Sequence, residues 1–339
     1  MATTRSFDQP FSLTDFTEEL LLIPNTWGLI NSMGLFREEG ITQHSITVEK
    51  VSGTLSVIPD QFRGARNTVN KDDTRQLLSF PIAHFPLDDQ ISPNDIQGKR
   101  AYGDANAADT EAAVMARKME RIRKNHAVTL EAARAFAITN GAIYAPNGTV
   151  VGNYYTSFGV TQEVVDYDLT GTTTTNVIGK GEGVISHIQD NILTGDVVSS
   201  ITMLCSPEFF SALIAYPTVK ESFQFYMSTQ EPLRNRLGGG GLYRRFSYGG
   251  IDYVEYRGEY NGVRLIPAGE AYAVPMGTED MFITYFSCAN KLSLTNTIGE
   301  SAYLFSYRSP MDDAIYLQSE SNHISLIRRP GAIVKATLT

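Results

Sequence analysis

The amino-acid sequence predicts an α+β fold for this chain of 339 residues. Three observations support this. One uninterrupted helical pattern runs from Asp104 to about Asn140. Short stretches on both sides of it alternate apolar and polar residues, as half-buried strands do. The composition is 42% hydrophobic, which allows a sizeable core in one or two domains.

The long helical segment carries a narrow apolar stripe. At about 100° per residue its apolar side chains fall within roughly 80° of one another on a helical wheel. The stripe consists of Ala108, Ala112, Met115, Met119, Ile122, His126, Leu130, Ala133 and Ala137. Arg117, Arg121 and Lys124 lie on the opposite side, and Gly141 provides a C-terminal stop. At 1.5 Å per residue the helix would span about 50 Å, which suits a spine on a flat body. An ordinary long helix of an α+β enzyme is the alternative.

Charge and cysteine content exclude several classes of protein. The net charge of −9 argues against a general nucleic-acid coat, because binding to phosphates depends on Lys and Arg. Cys205 and Cys288 each lie in an apolar run, which predicts buried thiols in a reducing compartment. The sequence shows neither a secretory signal pattern nor an apolar run long enough to span a bilayer. We therefore expect a protein that is made and kept in the cytoplasm, with no membrane partner.

The chain before the long helix looks extended. Residues 1–40 form an irregular arm with apolar patches. ITQHSITVEKVSG and TLSVIP alternate around Ser52-Gly53, which predicts a hairpin. A polar stretch follows, and LLSFPIAHFPLDDQI then returns as extended chain, because Pro81 and Pro86 disfavour helix in the residues before them. A connection this long in a compact protein is disordered or functional, so we predict a projecting arm stabilised by neighbours.

The chain after the long helix alternates between both kinds of element. IYAPNGTVVGNYY predicts a hairpin, GEGVISHIQDNIL a helix, ITMLCS a buried strand, and PEFFSALIAYPTVKESFQFYM a helix broken near Pro217. Strand patterns follow a glycine-rich loop at residues 237–242, and the last two strands are separated by Arg329-Pro330-Gly331.

No motif in the sequence indicates catalysis or a cofactor. The histidines show no metal-ligand spacing, and His126 in the apolar stripe is best explained as a packed core residue. Gly238 to Gly241 lack the Lys-Ser or Lys-Thr of a phosphate loop, so a flexible loop at an assembly interface fits them better. The glycines from Gly179 to Gly183 suggest a linker and helix start. Asp88-Asp89 and Asp312-Asp313 suggest solvated turns rather than catalytic carboxylate pairs.

The order of these parts resembles the major capsid proteins of tailed bacteriophages with the Hong Kong-97 fold, most closely the lambda-like major capsid protein E family. The resemblance covers nearly the whole chain in order. It rests on GLFREEGITQHSITVEKVSGTLSVIP, SFPIAHFPLDDQI, IQGKRAYG, the spine helix, APNGTVV, FGVTQ, SPEFFSALIAYPTVKESF, GGIDYVEYRG, AGEAYAVPMG and RRPGAIVKATL.

The resemblance implies a division into named parts. These are an N-arm (1–40), an E-loop (41–103), a P-domain (104–180, with the spine helix at about 104–140 and a hairpin), an A-domain (181–308) and terminal P-domain strands (309–339). It also implies three groups of site residues. Inter-subunit contacts would come from Asp60, Gln61, Arg63, Arg66 and Lys71. The loop at the axis of each ring of subunits would contain Gly238, Gly239, Gly240 and Gly241. The side facing DNA or scaffolding protein would contain Arg117, Arg121 and Lys124, for which a merely solvated face is the alternative.

The family also implies a function and partners. The chain would self-assemble into hexamers and pentamers of an icosahedral procapsid and virion shell around double-stranded DNA, contacting that DNA weakly and non-specifically. A separate scaffolding protein, a decoration protein and a portal would be the other partners. Lys50, Lys71 and Lys99 are available for the covalent Lys-Asn links of some members, but no residue set supports that chemistry. An encapsulin-like compartment and a small-molecule enzyme using the A-domain cleft are the alternatives.

Overall fold

The computed structural model describes residues 14–15, 28–52, 74–97, 110–144, 150–171, 176–192, 196–229, 243–260 and 263–339. All structural statements below concern these residues. Helices and strands are both present, so the predicted α+β class is confirmed.

Helices and strands alternate along most of the described chain. The helices are α1 (Leu29–Ser32), α2 (Pro93–Ile96), α3 (Glu111–Asn140), α4 (Tyr154–Phe158), α5 (Val177–Asn191), α6 (Pro207–Ala215) and α7 (Pro217–Thr229). The strands before α5 are β1 (Thr14–Asp15), β2 (Arg37–Gly40), β3 (Ser45–Ser52), β4 (Thr74–Pro81), β5 (Ala83–Ile91), β6 (Ala142–Tyr144), β7 (Val150–Asn153) and β8 (Glu163–Asp166). Those after it are β9 (Ser200–Cys205), β10 (Arg245–Tyr248), β11 (Ile251–Glu255), β12 (Glu259–Tyr260), β13 (Val263–Arg264), β14 (Glu270–Met276), β15 (Phe282–Phe286), β16 (Tyr303–Arg308), β17 (Ile315–Ile327) and β18 (Val334–Thr337).

The 13-residue strand β17 organises the first six-stranded sheet. It pairs antiparallel with β5, β15 and β16, while β2 joins β15 in parallel and β1 joins β16. Strand β5 comes from the predicted E-loop, and β15 and β16 come from the predicted A-domain. Since β5 and β2 lie far from β15, β16 and β17 in sequence, this sheet forms only when distant parts of the chain meet.

The second six-stranded sheet has the order β10-β11-β9-β14-β18-β8. Its two faces contribute to different apolar clusters. Met203 and Tyr253 face the cluster under α5 and α6, whereas Leu204 and Val254 face the cluster shared with the first sheet and α3. Because successive residues of β9 and β11 point to opposite faces, this one sheet contributes side chains to both apolar clusters.

Helix α3 begins seven residues later than predicted. Thr110 has an extended backbone and its hydroxyl accepts a hydrogen bond from the Ala113 N–H, so the helix begins at Glu111 and not at Asp104. Residues 104–109 lie outside the described part of the chain. The predicted end is confirmed, because Gly141 adopts a left-handed conformation with φ of 59°.

The predicted narrow stripe is only partly confirmed in the first half of α3, where Met119 and Ile122 are buried but Ala112 is exposed. Val114, which lies outside the predicted stripe, is buried as well. From Leu130 to Ala135 every residue is buried, and these include Glu131 and Arg134. The second half of the helix is therefore enclosed on all sides, with the first sheet, α1 and Tyr256 around it.

Three further predictions need correction. The partner of β3 is β4, with Ser45 opposite Pro81, and not the neighbouring TLSVIP stretch, which lies outside the described residues. The glycines between Gly179 and Gly183 lie inside α5, because the Asn176 side chain caps the helix at Gly179 N. Asp88 and Asp89 lie in strand β5 rather than in a turn.

Several other predicted elements are confirmed. The hairpin of β6 and β7, the buried strand β9, the break between α6 and α7 at Pro217, and the last two strands all occur where the sequence places them. Cys205 and Cys288 are buried free thiols.

Candidate assembly surfaces

One face of the β3-β4 hairpin packs against the body of the molecule, and Val48 and Leu78 contact the core there. Phe80 is 3% exposed and packs edge-on against Tyr154, with ring centroids 5.6 Å apart, and against Phe158 at 6.1 Å. Ile46, opposite Phe80 in the register, is also buried. The Lys50 Nζ donates to the Phe158 carbonyl oxygen at 2.6 Å, which adds one polar tie further out.

The opposite face of the hairpin is exposed to solvent. On this face Leu77 is 72% exposed, a large value for a leucine in a paired strand. Glu49 lies opposite Leu77 in the register and pairs diagonally with Arg75 at 3.5 Å, and both charged side chains are exposed. The predicted contact residues Asp60, Gln61, Arg63, Arg66 and Lys71 lie outside the described residues, as does Lys99. The described strands end at the pair Ser52 and Thr74, which those predicted residues connect in sequence.

The predicted basic face of α3 exists as a surface. Arg117, Arg121 and Lys124 are all exposed. The Lys124 Nζ also lies 2.6 Å from Glu120, a pairing between exposed groups one turn apart that contributes little stability. Lys118 points elsewhere, because its Nζ lies 3.0 Å from Asp89 and 3.5 Å from Asp95 at the start of α2. Three of the helix's basic side chains therefore share one exposed face.

Glu131 is a buried carboxylate that the sequence analysis did not single out. Its two oxygens accept hydrogen bonds from Ile30 N and Asn31 N, both at 2.8 Å, and from the Tyr256 hydroxyl at 2.6 Å. Burial raises the pKa of Glu131 above its ordinary value, against the effect of these donors. The carboxylate thereby joins α3 to α1 and to the end of β11.

Arg134 lies one turn further along α3 and joins it to the first sheet. Its guanidinium donates to Thr284 at 3.1 Å, to Asn31 at 2.6 Å and to Glu38 at 2.8 Å, and it lies over the Phe36 ring. Burial lowers its pKa. On the helical wheel Glu131 and Arg134 both lie outside the predicted apolar stripe, so the periodicity of the sequence gives no indication of this cluster.

Strand β17 buries an unusual run of polar side chains. Ser319, Glu320, Ser321, Asn322 and His323 are each at most 6% exposed. Most find partners, as when the Asn322 amide donates to the Cys288 carbonyl at 2.9 Å and Glu320 accepts from the Asn290 N–H at 2.8 Å. The run stays buried because neighbouring strands and loops supply these groups.

Two buried histidines lie beside this run. The His126 Nε2 is 2.9 Å from the Ser319 hydroxyl, so the predicted packed core role is confirmed. His323 stacks on Phe85 with ring centroids 4.6 Å apart. Burial lowers the pKa of His126 to about 4 and that of His323 to about 3, with the charge of Arg134 adding to the second effect.

The described residues contain no group of three or more His, Cys, Asp or Glu side chains that could hold a metal ion. A surface cavity of about 310 Å³ lies between α2, the start of α3 and the turn before β17. In its polar wall, Arg308 pairs with both Glu111 and Asp312. No helix in the described ranges is long and apolar enough to cross a membrane. The predicted loop from Gly238 to Gly241 lies outside these ranges.

Comparison with known proteins decides the family. The sequence matches the profile of the family described as phage major capsid protein E over residues 12–338. The chain belongs to this family. It is 42% identical over 344 aligned positions to the major capsid protein of Pseudomonas phage KPP10, with 97% of each chain covered. It is 28% identical to the major capsid protein of Salmonella phage Felix O1, covering 98% of this chain and 97% of the relative.

Solved structures with the same fold are phage capsid proteins. The capsid of Myoviridae phage XM1 matches with a TM-score of 0.54 at 9% identity, covering 93% of this chain and 94% of that one. A capsid protein of an Escherichia coli CFT073 prophage matches with a TM-score of 0.55 at 12% identity, covering 78% and 80%. At these identities the likeness concerns the fold, which is the Hong Kong-97-like capsid fold. The chain is therefore a phage major capsid protein and a component of the virion.

Proposed function

We propose that this capsid protein assembles into hexamers and pentamers of an icosahedral shell, and that the β3-β4 hairpin is its main lateral contact. The observation that supports this most is the hairpin itself, anchored by Phe80 on its inner face and exposing Leu77 on its outer face. A neighbouring subunit that packs against this strand would cover the Leu77 side chain and remove its apolar surface from water. The hairpin would then act as the E-loop of the family.

The four-part division of the chain is proposed with one refinement. Strand β5 from the predicted E-loop, and β15 and β16 from the predicted A-domain, pair with β17 in the first sheet. We therefore restrict the projecting E-loop to about residues 45–81 and assign these three strands to the P-domain. The last residues of the predicted N-arm, Arg37–Gly40, pair with β15 and belong with the same sheet.

Substitution of Leu77 tests the role of the hairpin. Because its side chain is already in water in the single chain, Leu77→Asp should leave folding nearly unchanged, yet it should reduce the yield of assembled shells by at least about tenfold. Val263→Asp, at a position that is 55% exposed on β13, is a matched control. Equal shell yields from both variants would contradict the proposal.

We also propose that the exposed face of Arg117, Arg121 and Lys124 points into the interior of the shell. There it would contact a scaffolding protein first and packaged double-stranded DNA later. Its support is that the three cations lie on one exposed face of α3. Contacts to DNA phosphates weaken as salt rises, so DNA retention should become weaker and less dependent on salt when the face is neutralised. A face that is only solvated is the alternative.

The triple variant Arg117→Gln, Arg121→Gln, Lys124→Gln tests this orientation. We expect lower procapsid yield or earlier loss of DNA from full particles on heating. Lys180→Gln with Lys220→Gln provides a control away from α3. Yields and particle stability that match the wild type would show that the face is only solvated.

The remaining expectations of the family stay proposals for this chain. They are assembly in the bacterial host cytoplasm, a portal, a separate scaffolding protein, a decoration protein near the hairpin, and an axial loop at Gly238 to Gly241. We also propose that the protein has no enzymatic activity and forms no covalent cross-link. The position of Lys50 supports the absence of a cross-link, because its Nζ donates a hydrogen bond to the Phe158 carbonyl oxygen. The phage capsid relatives lend no support to an encapsulin-like or an enzymatic role.

A further inference from the structure

The second sheet ends in two exposed strands of different charge. Strand β8 forms one edge and β10 the other. An edge strand presents backbone groups that can pair with another chain, so natural proteins cover or guard such edges. Strand β8 comes from the predicted P-domain and β10 from the predicted A-domain, so the sheet brings an edge of each part together in one layer.

The β8 edge is acidic. Glu163 and Asp166 are exposed, and Val164 between them is 54% exposed. Residues 159–171 contain these two acids and Asp168 but no lysine or arginine. This edge therefore exposes the apolar side chain of Val164 between two carboxylates, and every charged residue in the segment is acidic.

The β10 edge carries the opposite charge. Arg245 is exposed on the strand itself. Next to it, Arg244 and Arg257 both bond to Glu255, a carboxylate that is 4% exposed, so one positive charge is left over in that cluster. Asp252 on β11 is the other acid of this edge and bonds to the Ser247 hydroxyl. Positive charge remains in excess.

The two edges are also matched in direction and register. Arg245 and Val164 lie at opposite ends of one row of paired residues that crosses the whole sheet. The row runs from Arg245 through Val254, Leu204, Tyr272 and Lys335 to Val164. The pairings make β8 and β10 run in opposite directions. A rotation about an axis along the strands would therefore bring β8 of one copy antiparallel to β10 of the next.

We propose that the acidic β8 edge of one subunit binds the basic β10 edge of the next copy of this chain around each ring of subunits. This inference rests on the proposed assembly into hexamers and pentamers and names the charged contact that closes those rings. A head-to-tail contact between two different patches generates a ring when the rotation closes. Opposite charges at the contact fix the order of the copies and suppress other pairings.

Charge reversal of each edge tests the proposal. The variant Glu163→Lys with Asp166→Lys makes both edges basic, and Arg245→Glu makes the β10 edge acidic. Each should lower the yield of assembled particles by at least about tenfold, because like charges then face each other in every contact. The chain that carries all the reversals should recover to within about threefold of the wild type, since opposite charges meet again.

Mixing the two reversed chains gives a sharper result. Each chain fails with its own kind, but they bind when they alternate around a ring. Rings with an even number of subunits can alternate completely, whereas a pentamer must contain at least one contact between like charges. Co-expression should therefore give tubes or sheets of hexamers with few closed shells, as seen by electron microscopy.

Glu182→Lys with Asp190→Lys, at exposed positions on α5, is the matched control and should assemble normally. Urea unfolding of every variant checks that the subunits fold. Normal assembly of either single-edge variant, or failure of the combined variant to recover while folded, would overturn the proposal. Absence of wild-type shells would instead overturn the proposed assembly function.

Discussion

Acid should destabilise this protein through two buried histidines, His126 and His323. Both are neutral in the fold, since burial lowers their pKa values from 6.5 to about 4 and about 3. In the unfolded chain each would bind a proton below about pH 6.5. The folded state therefore loses stability as the pH falls from 6.5 toward these lower values.

The size of the effect follows from these values. Between about pH 7 and about pH 5, each histidine lowers the free energy of unfolding by about 2 kcal/mol, so the two together lower it by about 4 kcal/mol. The buried Glu131 acts in the opposite direction, because its raised pKa makes the folded state gain stability as the pH falls through that pKa toward its ordinary value. Comparison of variants at each pH separates these contributions.

The variant His323→Phe isolates one histidine. A phenyl ring can keep the stacking on Phe85, and a small cavity of about 10 Å³ borders the site. Urea unfolding of the dissociated full-length chain, followed by circular dichroism, should show that the variant loses about 2 kcal/mol less than the wild type between about pH 7 and about pH 5.

His126→Met should show a similar difference and serves as an independent second measurement. Its replacement also removes the contact to the Ser319 hydroxyl, which the comparison at neutral pH measures. If both variants lose as much stability on acidification as the wild type does, the buried histidines are not the acid-sensitive groups and the reasoning is wrong.

Three further substitutions test the packing and the buried cluster by urea unfolding at neutral pH. Phe80→Ala should cost about 3 to 5 kcal/mol through the cavity at the base of the hairpin, and a cost below about 1 kcal/mol would contradict its anchoring role. Glu131→Ala should lower the free energy of unfolding by about 3 kcal/mol or more, because it leaves three hydrogen-bond donors without their acceptor. Tyr256→Phe removes only one hydrogen bond and should lower it by about 1 to 3 kcal/mol, and a larger loss for this variant than for Glu131→Ala would count against the cluster. Gly141→Ala should cost about 1 kcal/mol or more, because φ is 59° and a Cβ would overlap the Tyr155 ring; no loss would contradict the helix-end geometry.

Local patterns predicted most of the elements. The end of α3 at Gly141 and the break at Pro217 depend on the chain within a few residues, and propensity and turn chemistry describe them well. The predicted start of α3 was wrong because Thr110 is the N-cap, although the apolar period of the sequence continues before it. Periodicity alone does not show at which residue a helix is capped.

The pairings between distant strands could not be predicted in this way. Strand β3 pairs with β4 across 21 intervening residues, whereas the sequence suggested the adjacent stretch. The burial of Glu131 and Arg134 likewise depends on α1, β2 and Tyr256, which come from remote parts of the chain. Among the predicted site residues, only the face of Arg117, Arg121 and Lys124 lies in the described ranges, and its role remains a prediction.

Electron microscopy of the expressed protein tests the central claim most directly. The chain would be produced alone and together with its neighbouring phage genes, and the purified products would be imaged in negative stain. Our account predicts closed shells, or open sheets and tubes of hexamers, in at least one of the two preparations. Only small, soluble oligomers in both would contradict it.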